Sequence, residues 1–582
     1  MKTIPARGFF LGWALIALAS FAGGQVLFKI GGPHTDSGQH VVVDDDGNIF
    51  IAGCFQGTVD FDPGPETARR TASGDPADPL TGQDAVDIFL AKYDPAGKFL
   101  WVVTLGDEGP DKPLALDLDP EGHVVLAGRF FLDGEGRTRT FIAKYDGDGA
   151  LLWVFELDPD GLPPSDDEDA AFEPTLALSA ASNGHIAVTG SFRGTIDLDP
   201  SGKAGTDAVF TSDSGSSDAF IAVYSSLGEF RWGKALGSPG EDQGRAVRMD
   251  AEGRIVVAGL LSGDLFVVKF DASGEILWES RAGGSGSIQV ASGALALDNA
   301  GSILLTGEFS RTADFDSERE TPPLIARGES DIFTAKYATD GDFLWAVGAG
   351  SVYHDFGTAV AVDKNGNVFV TGSFSGATDF DPGEKENILI PKGGPEVGDI
   401  FLVKYDPEGK CLWARSFGGP ENDPDSLQAG WGLAVDGRGN AFVTGRFHLS
   451  ADFDPGPSSE FLTSDGCADV FLTQFDGDGE LVAARLRHPP LQFRGYKYLN
   501  RSLSQFEYIN ILIWSRNPGD PGAVSFRIYL VVDGVRSLET EIDVSSTTYW
   551  HRNVARDKSY HYICTAVDVW GNEGGTAEIV VR

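Results

Sequence analysis

Short runs of alternating apolar and polar residues, cut by glycine or Asp-Gly pairs, occupy most of the chain. "DGNIFIAG" (46–53) returns as "EGHVVLAG" (121–128), "NGHIAVTG" (183–190), "EGRIVVAG" (252–259), "AGSILLTG" (300–307), "NGNVFVTG" (365–372) and "RGNAFVTG" (438–445). A second run follows each copy: "DIFLAKYD", "RTFIAKYD", "DAFIAVYS", "DLFVVKFD", "DIFTAKYA", "DIFLVKYD" and "DVFLTQFD". Period-two alternation bounded by turn residues is the pattern of half-buried or buried strands. A tryptophan then stands eight residues after the second run's aromatic in the first six copies, from Trp101 after Tyr93 to Trp413 after Tyr405. The seventh breaks the rule, with Ala483 after Phe475. Each repeat therefore predicts four strands, a to d, of the types "TAVAVD", "NVFVTGSF", "DIFLVKYD" and "KCLWARSF". "VLFKIGG" (26–32) resembles the end of a d strand and is a candidate to complete the seventh repeat.

Spacing separates two kinds of loop. From the strand b glycine to the strand c aromatic the separations are 40, 17, 34, 11, 30, 33 and 30 residues, whereas the c-to-d step is constant in the first six repeats. In a meandering sheet the b–c and d–a loops emerge at one end and the a–b and c–d turns at the other. One face is thus short and uniform, and the other carries long, variable loops, where binding residues concentrate.

Composition agrees with many short strands. The chain has 582 residues, 42% hydrophobic, with 75 Gly, 39 Phe and 2 Met, enough for a large core. The net charge of −41 argues against nucleic acid and anionic lipid as partners. At the N-terminus, Lys2 and Arg7 precede an apolar stretch from Phe9 to Ala22 and small residues around Gly24. That stretch falls short of the roughly 20 residues needed to span a bilayer. It reads as a secretory signal peptide over 1–24, with an uncleaved anchor as the alternative, and predicts a secreted or cell-envelope protein with no membrane span after cleavage. The four cysteines, Cys54, Cys411, Cys467 and Cys564, form no CxxC pair. Packed thiols are the expectation, with a Cys54–Cys467 bridge between the first and last repeats as the alternative.

The phrase "TVDFDPGP" (58–65) recurs as "TIDLDPSG" (195–202), "TADFDSER" (312–319), "ATDFDPGE" (377–384) and "SADFDPGP" (450–457), always in the b–c loop. Asp60/Asp62, Asp197/Asp199, Asp314/Asp316, Asp379/Asp381 and Asp452/Asp454 would project together from extended chain. With nearby carbonyls they are candidate calcium ligands, a metal that takes six to eight oxygens. The competing and preferred reading is architectural: the aromatic anchors the loop, aspartates cap backbone amides, and proline sets the turn. "VDDDGN", "YDGDGA" and "FDGDGE" resemble fragments of calcium loops, yet none has the twelve-residue pattern ending in Glu. No HExxH, GxSxG or phosphate-loop motif occurs, so no catalytic or cofactor-binding residue is assigned.

"VDKNGNVFVTGSFSGATDFDPG" (362–383) and "DIFLVKYDPEGKCLWARSFGG" (399–419), echoed along residues 26–487, resemble the seven-bladed β-propeller repeat of exported bacterial proteins. "AKYDPAGKFLW" (91–101) is also similar to the docking motif of quinone-dependent dehydrogenase propellers, where turn and tryptophan lock adjacent blades; the motif's threonine is absent here. After "HPPLQFRGYKY" (488–498) the rhythm changes to "YINILIWSRNP", "SFRIYLVVDG", "TTYWHRNV" and "KSYHYICTAVDVWGNEG", which resembles a fibronectin type III module, with Tyr560 placed like a tyrosine corner. The resemblances imply an all-β protein: a seven-bladed β-propeller (25–487) followed by a fibronectin type III-like β-sandwich (488–582). They imply no activity. The expected function is a non-enzymatic, monomeric binding scaffold that holds a protein or carbohydrate partner in its long loops. The alternative is a propeller enzyme, a hydrolase or lyase on carbohydrate or lactone substrates, with its site in the central channel.

Overall fold

The computed structural model describes residues 26–73, 86–107, 109–131, 138–157, 175–199, 201–213, 215–316, 321–381, 383, 385–393, 398–419, 428–456 and 459–482, then 491–501, 506–515, 525–532, 535–543, 548–552, 554–555, 558–567 and 573–581. The expected signal peptide, Ala483, residues 74–85 of the first b–c loop and the acidic stretch 158–170 lie outside these residues. Strands are the main regular element of the described residues, with a short 3-10 turn at Gly205–Ala208, and no helix among them is long and apolar enough to cross a membrane. The chain divides into a compact unit over Gln25–Ala484 and a second containing Arg485–Arg582.

Among the described residues the first unit holds seven antiparallel sheets of four or more strands in the predicted a–b–c–d order, beside three short two-stranded sheets. Sheet one is Ser37–Val43, Ile49–Phe55, Asp87–Tyr93 and Phe99–Leu105, and sheet six is Phe356–Val362, Val368–Phe374, Asp399–Tyr405 and Cys411–Phe417. The seventh has three strands of its own, Ala429–Val435, Ala441–Asp452 and Phe461–Phe475. Its fourth is Leu27–Ile30, paired antiparallel with Leu27 opposite Thr473 and Ile30 opposite Val470. The strand read from "VLFKIGG" thus fills the place where the seventh tryptophan repeat fails. Each a strand touches the a strand of the next sheet, and that of the seventh, Ala429–Val435, touches that of the first, Ser37–Val43. The a strands therefore line an axis.

Strands b and c are apolar on both faces because neighbouring sheets cover them: Ile49–Phe55 and Asp399–Tyr405 are buried along their whole length. Clusters built from adjacent sheets, such as Phe50, Ile88 and Leu90 with Leu126 and Phe141, form the core between them.

All fourteen a–b and c–d turns share one hydrogen-bond pattern, as in Asp44 N–H to Asn48 O with Gly47 N–H to Asp44 O. The glycine has positive φ, as at Gly47 (φ 85) and Gly409 (φ 84), which is why Asp/Asn-Gly turns recur here. Six of these turns receive a tryptophan from the preceding sheet. Trp101 Nε1 donates to Gly147 O (3.1 Å), Trp232 Nε1 to Ala272 O (3.2 Å) and Trp413 Nε1 to Gly477 O (3.1 Å), and the other three repeat the bond. The sequence placed these rings in the core between sheets; most are half-buried, because the indole must reach the rim to meet the neighbouring turn. A lysine of strand c joins the same acceptor: Lys92, Lys144, Lys269, Lys336 and Lys404 donate to the same carbonyls as the tryptophans of their own sheets.

The second unit has two sheets, Leu491–Arg501 with Phe506–Ser515 and Thr548–His551, and Val535–Asp543, Ser525–Val532, Tyr560–Val567 and Glu573–Val581 in that order. They share a core of Leu512, Trp514, Phe526, Ile528, Tyr562 and Cys564. The Tyr560 hydroxyl accepts a hydrogen bond from Ala555 N–H at 2.8 Å, five residues upstream. All four cysteines are free, which overturns the Cys54–Cys467 bridge: Cys54 is buried with its thiol on Asp111 O (3.4 Å), and Cys467 is exposed.

Candidate functional site

Two groups of residues could carry function in the first unit: the repeated aspartates of the b–c loops and the side chains lining the axis. The aspartates come first because the sequence singles them out. Each phrase opens a small hairpin that the sequence reading missed, such as Thr58–Asp60 against Arg69–Thr71 and Thr195–Asp197 against Val209–Thr211. The first aspartate of each pair folds back onto the loop. Asp60, Asp197, Asp314, Asp379 and Asp452 accept, through Oδ1, the amide N–H of Asp62, Asp199, Asp316, Asp381 and Asp454. Three of these Oδ1 atoms also take an amide from across the hairpin, from Ala68, Asn387 and Glu460. The second aspartate caps further residues: Asp62 holds Gly64 N–H, Asp199 holds Ser201 and Ala204, Asp316 the Thr321 hydroxyl, Asp381 Gly383 and Asp454 Gly456.

The apolar residue between the aspartates points inward: Phe61, Leu198, Phe315, Phe380 and Phe453 are all buried. A tyrosine of strand c then bonds its main chain, Tyr93 Oη to Phe61 O (2.9 Å), Tyr224 to Leu198 O (2.9 Å), Tyr337 to Phe315 O (3.1 Å) and Tyr405 to Phe380 O (3.3 Å). The phrase is a latch that pins the long loop to its sheet. The potential ligands that the described residues do bring together lie elsewhere, at Asp119, Glu121 and His123 on an a–b turn. There the Lys144 ammonium already stands 2.6 Å from Asp119 Oδ2.

The axis is lined by the a strands, and their aligned turns put equivalent residues in layers. Two residues before the turn the layer reads Val42, Asp117, Ser179, Arg248, Ala296, Ala361 and Ala434. Three polar side chains thus stand side by side on sheets two, three and four. Asp117 accepts Leu118 N–H and Ala180 N–H, both at 2.9 Å, and Ser179 Oγ accepts Met249 N–H at 3.2 Å. Burial raises the Asp117 carboxyl above its usual range, opposed by the nearby Arg248 charge and these hydrogen bonds. Arg248 Nη1 donates to Val247 O at 3.0 Å.

Four residues before the turn the layer is His40, Ala115, Ala177, Ala246, Ala294, Ala359 and Gly432. His40 is the one polar group in it. Burial pushes its imidazole down to about 4 while a hydrogen bond to the Pro113 carbonyl opposes the fall, so the ring is neutral at ordinary pH. Gly432 makes room, since a Cβ there would lie 3.0 Å from the His40 Cα. His40, Asp117 and Arg248, with Ser292, Trp431 and Leu433, line a cavity of about 320 Å³.

Toward the long-loop face, bulges in the a strands release one residue each: Gln39, Leu114, Arg245, Thr358 and Trp431 fall at breaks in the strand register. Nearby, His354 Nε2 meets Glu308 Oε2 at 2.6 Å. The hydrogen bond to Glu308 raises the His354 imidazole against the opposing effect of burial. None of these channel residues carries a motif. Their signal in the sequence is departure from the repeat, visible only once the a strands are aligned on their turns.

Residues 347–380 match the family model described as SBBP, beta-propeller repeat. An uncharacterized WD repeat-containing protein of Acanthamoeba polyphaga mimivirus is 22% identical over 72% of this chain and 36% of its own length. The regulatory protein FlaEY of Caulobacter vibrioides is 28% identical over 31% of this chain and 17% of its own. The chain therefore spans about a third or less of the length of these curated relatives. Among solved structures, the β-propeller domain of the trilobed protease from Pyrococcus furiosus aligns with a TM-score of 0.30 at 11% identity, covering 75% of this chain and 95% of that domain.

Proposed function

We propose that this chain is an exported seven-bladed β-propeller joined to a fibronectin type III-like sandwich. It acts as a non-enzymatic binding scaffold whose long b–c and d–a loops hold a protein or carbohydrate partner. The observation that carries this reading is the asymmetry of the two faces. One face repeats the same turn fourteen times, while loops on the other differ in length and are latched to their sheets by the repeated aspartates and tyrosines. A latch limits the conformational freedom a loop loses when it meets a partner, which favours affinity.

The fourth sheet supplies the test. Its b–c connection is a two-residue hairpin at Ser262-Gly263 between Ile255–Leu261 and Asp264–Phe270. The long b–c loops of sheets one, three, five and six are replaced by that hairpin, singly and together, and binding to proteins and glycans of the producing cell's envelope is compared with the parent chain. Lost binding in the combined variant, with melting of the first unit retained, is expected. Binding that survives removal of every long loop overturns the reading.

The cavity at His40, Asp117 and Arg248 favours a second reading, a hydrolase or lyase acting on carbohydrate or lactone in the channel. Turnover of such substrates that disappears in His40→Ala and Asp117→Asn would establish it.

A further inference from the structure

The channel cavity contains a guanidinium whose donors are not used up by the protein. Arg248 makes a hydrogen bond through Nη1 to Val247 O, and its relation to Asp117 is one of nearby charge, with no ion pair to a described carboxylate. Its charge nevertheless reaches both neighbours, stabilising the Asp117 carboxylate and disfavouring protonation of His40. Asp117 itself is engaged by two backbone amides and a hydrogen bond from Ser179. A half-buried arginine therefore faces open space beside a carboxylate that is already occupied, at a layer position where four of the seven sheets carry valine or alanine.

We propose that this cavity binds a small hydroxylated carboxylate, an acid of the sugar-acid class. A guanidinium presents a planar fork that matches a carboxylate with two parallel bonds, and it keeps its charge at all relevant pH. The His40 ring donates to the Pro113 carbonyl through one nitrogen, and being neutral it offers the other as an acceptor for a ligand hydroxyl. Trp431 adds an aromatic residue to the lining. The volume of about 320 Å³ lies at the small end of pockets that enclose small molecules, roughly 300–1,000 Å³. Phosphate and sulfate fit less well, because beyond the one fork the described lining offers no second cation, the Asp117 charge repels a compact anion, and the His40 ring acceptor suits a hydroxyl. The acidic exterior opposes approach of any anion, and this opposition is screened over about 8 Å at 0.15 M salt. The site is independent of the loop-face reading, since none of its residues lies in a b–c loop.

The test titrates the full chain at 0.15 M salt with glucuronate, gluconate, glucose and sulfate by calorimetry. Glucuronate or gluconate is expected to bind at one site with a Kd below roughly 10 mM, with glucose and sulfate at least about tenfold weaker. Arg248→Gln should weaken the acid by roughly tenfold or more, the loss of a charge-assisted bidentate contact. Arg248→Lys, which keeps the charge and disturbs folding least, should weaken it by a few-fold because the fork is gone. His40→Ala should reduce the preference for the hydroxylated acids over acetate. Failure of both acids to bind, equal binding of glucose or sulfate, or unchanged affinity in both Arg248 variants overturns the proposal.

Discussion

At the scale of single residues, the repeated acidic phrase shows how one motif supports two chemistries until its hydrogen bonds are counted. Asp60 Oδ1 accepts two amides and Asp62 Oδ1 one, the loop-capping role that the sequence reading preferred over calcium ligation. Thermal melting of the first unit with and without chelator is therefore expected to superimpose; a drop on chelation would favour calcium ligation over capping. The tyrosine that completes the latch makes a sharper claim. Tyr93→Phe leaves the buried Phe61 carbonyl without its donor, and a buried unsatisfied group costs about 1–3 kcal/mol. Tyr145 is also buried but belongs to a sheet whose b–c loop has no such phrase, so Tyr145→Phe should cost less in the same denaturant titration. Equal losses would show that the hydroxyl bond adds nothing beyond the ring.

At the scale of elements, the junction between sheets is where sequence and physics agree most closely. The tryptophan spacing exposed six equivalent contacts before any coordinates. The glycine each ring meets explains the turn: a Cβ on Gly409 would lie 2.8 Å from the Trp345 ring, on a backbone already at φ 84. Gly263 has a similar φ of 90 with nothing within 4 Å. Gly263→Ala should therefore cost only the left-handed strain of about 1–2 kcal/mol, and Gly409→Ala should cost more because the ring must also move.

The opposite end of the same junctions holds buried carboxyls that the repeat alignment left unread. Asp87 and Asp111 both approach Gly106, where a Cβ would lie 2.3 Å from Asp87 Oδ1 and 2.8 Å from Asp111 Oδ2. Burial first, then the neighbouring Asp107 and Asp87 charges, push Asp111 up to about 7 against hydrogen bonds from Phe131 and Asp107. Asp36 rises to about 7 and Asp355 to about 6, burial again being the largest cause. A carboxyl raised on folding contributes its stability in full below the unfolded value near 4 and loses it as pH climbs through 6 to 7. Carboxylates held low, such as Asp298 and Asp363, lose theirs only below about pH 4. The melting temperature of the first unit should thus fall between pH 5 and pH 8. Asp87→Asn, which can turn an amide N–H toward Asp111, should flatten that fall. A profile that rises over the same interval contradicts the assignment.

At the scale of the whole molecule, legibility followed repetition. Sheets, turns, tryptophan contacts and buried loop aromatics were readable because each recurs at fixed spacing, and so was the tail's strand pattern with Trp514 and Tyr562 in its core. The channel site was not, because His40 and Arg248 are single departures on strands whose inward faces only the closed arrangement brings together. Closure rests on Leu27–Ile30, which pairs with a strand more than 430 residues later in the chain. Phe28 packs on Tyr93 of the first sheet at 4.8 Å, at the junction that lacks a tryptophan. Lys29 adds ion pairs to Asp465 (2.6 Å) and the buried Asp469 (3.1 Å). Without this strand, Phe461–Phe475 would expose an unpaired edge, and such edges recruit other chains. A chain beginning at residue 31 should melt at lower temperature and associate with increasing concentration, read by calorimetry and light scattering. A synthetic peptide spanning 25–32 should reverse that association. Lys29→Ala separates the contributions: it removes the ion pairs and leaves the backbone ladder intact, so it should lower the melting temperature without provoking association. If the shortened chain stays monomeric and equally stable, the ring is held by its inter-sheet contacts alone, and the fourth strand of the last sheet is dispensable.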